Sequence, residues 1–170
     1  LCELQGTLAR VVEPKRGLGD LLPTQRGARP LRRNPQADHL FDEGMEHWWA
    51  GNRGAACRWF KNALKAQADH ADAHNHLGIQ ALDEGRVKQA EGHFVAAIEG
   101  GARVVIQEAG QVQWSFLENR PYLRALANLA STRHRQERYS EEAEIHERLL
   151  RMNPNDNQGV RWLLGESHHR

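Results

Sequence analysis

Ten histidines and 22 Asp and Glu side chains give this chain ample material for proton transfer and metal ligation. The densest run is DHADAHNH, residues 69–76. His70 and His74 stand four apart and would share one face of a helix, with Asp72 beside them, which is half of a zinc-type ligand set. A closed site needs a second pair, and none follows at ligand spacing. Cys2 and Cys57 are far apart and show no metal-ligand spacing either. The nucleophile and phosphate motifs GxSxG, HExxH, CxxC and GxxxxGK(S/T) are absent, and GLGD at 17–20 is not followed by a helix pattern. His93, His134 and His146 read as helix-surface or core-edge residues, and His168 and His169 as a terminal tail. The expectation is a protein without catalytic residues, metal or cofactor.

The elements that must position these side chains follow from composition and period. Hydrophobic residues make up 39% and charged residues 26%, as in a helix-rich globular chain. Apolar runs are only a few residues long, far short of the ~20 needed for a membrane span. The opening LCELQGTLARVVEPKR has neither the sustained apolar core nor the cleavage site of a signal peptide. Two distant cysteines suit a reducing compartment, so a cytoplasmic location is expected.

The net charge of +1 is unevenly placed: residues 1–36 carry +4 and residues 37–170 carry −3. Residues 1–35 also hold four of the six prolines, so 1–36 reads as a flexible basic arm, with a short helix over 2–12 as an option inside it. Lys15, Arg16, Arg26, Arg29, Arg32 and Arg33 would suit nucleic acid, but no aromatic residue accompanies them for base stacking, and nucleic acid is not the expected partner.

From Ala37 the sequence repeats itself. Shifted by 34 residues, 37–70 matches 71–104 at eight places: Ala37/Ala71, Asp38/Asp72, Gly44/Gly78, Gly51/Gly85, Ala56/Ala90, Phe60/Phe94, Ala63/Ala97 and Ala68/Ala102. These are the residues a helix hairpin needs. A glycine at repeat position 8 lets two helices approach closely. Glycine at position 15 can take the left-handed conformation that ends the first helix. Alanines at 20 and 27 and phenylalanine at 24 share one face of the second helix.

This pattern resembles the tetratricopeptide repeat (TPR) family, with Leu40 and His74 in place of the usual Trp at position 4 and Ala68 and Ala102 in place of Pro at position 32. A third, weaker repeat fits 123–156, anchored on Pro154, with Glu137, Glu142 and His146 at positions 15, 20 and 24. Its first helix is expected near Pro121 with Asn119 as cap. Residues 105–122 form an insert, read largely as an extra or lengthened helix ending near Leu117. Residues 157–165 read as a cap helix beginning at Asp156, with Val160, Leu163 and Leu164 covering the last apolar face. The stretches ENRPYLRAL and RMNPNDNQGVRWLL are similar to a signature of bacterial TPR proteins that carries no assigned activity.

The resemblance implies an all-α fold, an α-α superhelix wound as a right-handed solenoid, over residues 37–170. It also implies a concave groove lined from first-helix positions 2, 5, 6, 9, 12 and 13. Carried onto this sequence, these positions give Phe41, Met45, Trp48, Asn75, His76, Ile79, Arg124, Asn128 and His134 as the candidate partner-binding set, with Trp49 and Asp72 among the remaining positions. Chaperone-binding members hold a peptide carboxylate with a Lys/Asn/Asn/Lys/Arg clamp. The matching places here are Phe41, Met45, His76, Arg124 and Asn128, where only Arg124 keeps a charge of that kind. The expected function is therefore an adaptor or scaffold that binds a peptide or a partner helix of another protein. The alternative is a self-associating repeat protein, with Trp59, Trp114 and Trp162 near apolar end faces.

Overall fold

The computed structural model describes residues 34–167. The first helix, α1 (Pro35–Trp49), starts two residues ahead of the repeat boundary. Pro35 is pre-set for a first helical turn, and the Asn34 side-chain oxygen accepts from the Gln36 amide at 3.1 Å. Asn34 also donates through Nδ2 to the Ala66 carbonyl at 3.0 Å and through its backbone amide to Gln67 Oε1 at 3.3 Å. Residues 35–36, read from sequence as part of the arm, therefore belong to α1. The rest of that arm and its optional helix over 2–12 lie outside the described residues.

Six more helices follow: α2 (Arg53–Ala66), α3 (Ala71–Asp83), α4 (Val87–Ala102), α5 (Arg120–Arg135), α6 (Tyr139–Met152) and α7 (Val160–Ser167). α1/α2, α3/α4 and α5/α6 are hairpins that coincide with the three repeats. They stack in order through α2 on α3 and α4 on α5. Among the described residues the only β pairing is one bridge between Glu108 and Gln111, so the fold is all-α.

Each hairpin turns in the same way. Gly51, Gly85 and Glu137, at repeat position 15, all have positive φ (78°, 74° and 58°). The following amide reaches five residues back in each case: Asn52 to His47 O, Arg86 to Ala81 O and Arg138 to Arg133 O, at 2.8–2.9 Å. This double-bonded helix end recaptures orphan carbonyls, and only glycine adopts it without steric cost. Glu137 adopts it with a side chain.

Within a hairpin, the close approach is made by positions 8 and 24. A methyl group on Gly44 would lie 2.5 Å from Phe60 Cε1, and one on Gly78 would lie 2.5 Å from Phe94 Cε1. Both rings are fully buried. The third hairpin has Ala130 and His146 at these positions, so an added methyl accompanies a smaller ring, and both residues are buried. The core forms two clusters. One runs from α3 and α4 to Val160 of α7; the other joins α1 and α2 to the start of α3. Ile79 packs against both.

Three sequence expectations are corrected here. The insert holds no lengthened helix: α4 stops at Ala102, and residues 103–116 form a loop before a single 3-10 turn, Leu117–Asn119. The loop is held by Asn119 and not by helix propensity. Asn119 sits at the N-terminal boundary of α5, but its side chain does not cap that helix. It accepts from the Ile106 amide (2.7 Å) and donates to the carbonyls of Ile106 and Gln113 (both 2.9 Å). Val112, buried in the core, donates its amide to the Met152 carbonyl at 2.8 Å, fastening the loop to the end of α6. Finally, α7 begins at Val160, with Asp156 accepting from the Val160 and Arg161 amides. Val160 is buried as expected, whereas Leu163 is 41% exposed.

Two stability outcomes follow from this geometry. Gly78→Ala should cost roughly 1–3 kcal/mol in urea unfolding, because a fully buried ring must shift to admit the methyl; an unchanged midpoint would contradict the close approach. Glu137→Gly should raise stability by up to about 1 kcal/mol, since it relieves the left-handed backbone at a side-chain-bearing residue. A loss on that substitution would mean the turn is not strained.

Candidate partner-binding groove

The leading helices α1, α3 and α5 line a hollow of ≈ 470 Å³. The structure brings seven of the nine sequence candidates to it: Phe41 and Met45 from α1, Asn75, His76 and Ile79 from α3, and Arg124 and Asn128 from α5. Trp49, Asp72 and Ala127 complete the wall from the same helices, and Gln158 reaches in from the segment before α7. Gln158 lies outside the repeats, so repeat register gave no signal for it. It is placed by its own Nε2, which donates to the Leu123 carbonyl at 3.2 Å.

Trp48 is not part of the wall. Adjacent helical residues point about 100° apart, so one tryptophan of the pair had to turn away. Trp48 is 8% exposed, with the Arg53 guanidinium 3.4 Å over its ring and the edge of His76 at 5.1 Å. Trp49 is 77% exposed and lines the hollow instead. His134 is also displaced. Its Nδ1 lies 2.9 Å from Glu142 Oε2, and its ring meets the Tyr139 ring edge-on. The cause is Glu142, buried at the position alanine occupies in the first two repeats, where a carboxylate needs a donor.

The polar groups of the hollow are partly committed to the fold. Asn75 is buried and its Nδ2 donates to the Pro121 carbonyl at 2.9 Å, tying α3 to the start of α5. Asn128 touches it only weakly, Nδ2 to Asn75 Oδ1 at 3.5 Å, so its amide is the more available to a ligand backbone. Arg124 stands 3.4 Å from Asp72 Oδ1, and its guanidinium lies 5.7 Å from the centre of the Trp114 ring. His76 donates through Nδ1 to the Asp72 carbonyl at 2.9 Å and packs against Phe41, Trp48 and Phe60. Burial pulls its pKa below the ordinary histidine value, so it is a neutral wall at pH 7.

The DHADAHNH run has structural employment. His70 caps α3, its Nδ1 accepting from the Ala73 amide, and its Nε2 lies 3.3 Å from Asp38. His74 faces His93, Nδ1 to Nδ1 at 3.1 Å, with its Nε2 on the Ala68 carbonyl. Ring centres 5.4 Å apart place the two nitrogens nearly head-on, the geometry of one shared proton and not of two ligands bent around an ion. Burial, reinforced by the charges of His74, Lys61 and Arg86, lowers the His93 pKa to about 4. Burial also lowers the pKa of His74 and His146. No group of three or more metal-ligating side chains occurs among the described residues.

Folded-state pKa values below the unfolded ~6.5 mean that the unfolded chain takes up protons first. Stability is therefore complete above pH ~6.5 and should fall as the pH drops below it, for His93 down to about pH 4, by up to ~1.4 kcal/mol per pH unit for that group. His93→Asn should flatten part of that slope in a denaturation series; an unchanged slope would exclude His93 as a contributor. Trp48→Ala should lose about 3–5 kcal/mol and Trp49→Ala less than ~0.5 kcal/mol, measured by urea midpoint. The reverse order would place the two rings wrongly.

No protein-family model and no curated protein matches the sequence. Solved structures do match. One is described as the first TPR of Spaghetti (RPAP3) bound to the HSP90 peptide SRMEEVD, superposing with a TM-score of 0.61 over 79% of this chain and 92% of that one, at 16% identity. The fold is thus that of packed helix pairs resembling a TPR domain, reached at an identity that speaks for architecture alone.

Proposed function

We propose that this chain is a non-catalytic adaptor that holds a peptide or partner helix of another protein along the α1/α3/α5 hollow. The observation that carries this reading is the wall itself. Phe41, Met45, Trp49 and Ile79 present apolar surface on rigid helices, next to the Asn128 amide and the Arg124 guanidinium. Exposed aromatic and Met side chains are the usual anchors of an interface, and a Trp that is 77% exposed has area to bury.

The similar solved domain holds a peptide ending in EEVD. A carboxylate-holding clamp has poor support here, since Phe41, Met45 and His76 offer no charge and Arg124 already faces Asp72. The preferred ligand is one that fills the hollow with bulky apolar side chains and lays its backbone against Asn128. No helix among the described residues is long and apolar enough to cross a membrane.

Peptides selected from a random library on the immobilised chain should lose at least about tenfold in affinity with Trp49→Ala or Asn128→Ala, near 1.4 kcal/mol, and nothing with the remote Lys88→Ala. Equal binding by all three variants would remove the hollow from the account.

Self-association is the second reading, favoured by one observation. Trp162 on α7 is 84% exposed beside Leu163, whereas Trp59 and Trp114 are partly buried. Sedimentation at micromolar concentration should then show a dimer that Trp162→Ala reduces to monomer. A monomeric parent chain would end this reading.

A further inference from the structure

A second hollow, of ≈ 220 Å³, opens where the starts of α2 and α4 meet α3. Among the described residues its lining carries three cations, Arg53, Lys61 and Arg86, and one carboxylate, Glu84. Cys57 stands in the same wall. This hollow and the α1/α3/α5 groove share no lining residue among those described.

The charges converge on one small volume. Burial pushes the Cys57 thiol pKa up; Lys61, Arg86 and Arg53 each pull it back, and Glu84 adds to the rise. The three cations are not equally committed. Arg86 donates to Glu84 and, at 2.6 Å, to Gln89 Oε1. Glu84 also accepts from Gln80 Nε2 at 2.6 Å. Arg53 instead lies flat on Trp48, its guanidinium carbon 3.4 Å from the ring centre. A guanidinium held by its face keeps its in-plane N–H donors for an oxyanion. Lys61 brings a compact charge with three rotatable donors.

The two helix starts add to this field. In α1 and α3 the side chains of Asn34 and His70 accept from first-turn amides. In α2 and α4 the residues at the same place, Asn52 and Arg86, make no such bond, and neither first turn holds an acidic residue. First-turn amides and the positive ends of two helix dipoles therefore stand beside the cations.

We propose that this second hollow binds a phosphate-type dianion, either the free ion or a phosphorylated side chain. Arg53 and Lys61 hold its oxygens, and Arg86 and the starts of α2 and α4 complete the positive field. Charge-assisted bonds from a planar fork and an ammonium are the usual means of holding phosphate oxygens.

Calorimetric titration of the full chain with inorganic phosphate tests it, at low salt and about pH 7.5, where phosphate is mostly dianionic. A short peptide carrying phosphoserine, and its unphosphorylated form, are titrated beside it. Saturable binding is expected, at least about fivefold weaker in Lys61→Gln and unchanged in the remote Arg151→Gln. Glu84→Gln should bind at least about threefold tighter, because it removes the competing carboxylate and releases Arg86. A gain of this kind does not arise from a variant that fails to fold. Alkylation of Cys57, read by mass spectrometry, should slow when phosphate is present. Equal affinity for phosphate and the phosphoserine peptide marks the free ion as the ligand, and tighter binding of the peptide marks a partner's side chain. No saturable binding of either probe, equal affinity in Lys61→Gln and the parent, or weaker binding in Glu84→Gln overturns the proposal. Binding equally strong for the unphosphorylated peptide overturns it as well.

Discussion

The contact on which the rest depends is the meeting of a bare backbone with a phenyl ring. Gly44 against Phe60 and Gly78 against Phe94 leave no space for a single added carbon. That approach sets the spacing of the two helices in each hairpin. Hairpins of equal spacing and equal turn can stack so that α1, α3 and α5 fall on one side. The groove is thus a by-product of packing on the other face of those helices. Fully burying each ring is worth about 1.5–3 kcal/mol, which a hairpin alone cannot collect until a neighbour covers it.

The third hairpin keeps this plan with different chemistry. Glu142 and His146 stand where alanine and phenylalanine stand in the others, and His146 Nδ1 is buried with no hydrogen-bond partner among the described residues. Polar contacts supply cohesion around it. Glu91 of α4 receives Gln136 at 2.8 Å and Arg133 at 2.5 Å; burial pushes its carboxyl pKa up, but these bonds and the Arg133 and Arg138 charges bring it below the ordinary value. Arg148 donates to the Tyr122 hydroxyl at 2.8 Å inside the same unit. Paired in this way, buried polar groups cost less than their desolvation alone would suggest.

What could be read from the sequence was whatever depends on residue size at a fixed period. The glycines at positions 8 and 15 and the phenylalanine at 24 each have one steric reason to be where they are, so helices, pairing and groove face follow. Position 15 remains legible even at Glu137, where the left-handed turn survives without its glycine. What could not be read depends on side-chain direction or on partners distant in sequence. Period alone cannot choose between Trp48 and Trp49, because Arg53 and His76 decide it by taking Trp48. Asn119 looks like a cap until Ile106 and Gln113 are seen to claim its amide. His134 left the groove set because Glu142, eight residues on, is buried beneath it.

Ile79 belongs at once to the wall of the hollow and to both core clusters. It is the seam where the first hairpin meets the remainder. A molecule pressing on that side chain therefore adds contacts at the joint between two separately packed halves. By linkage, occupancy of the hollow and resistance of the first hairpin to local opening must rise together. Cohesion along the stack is in this sense a readout of whether the wall is covered.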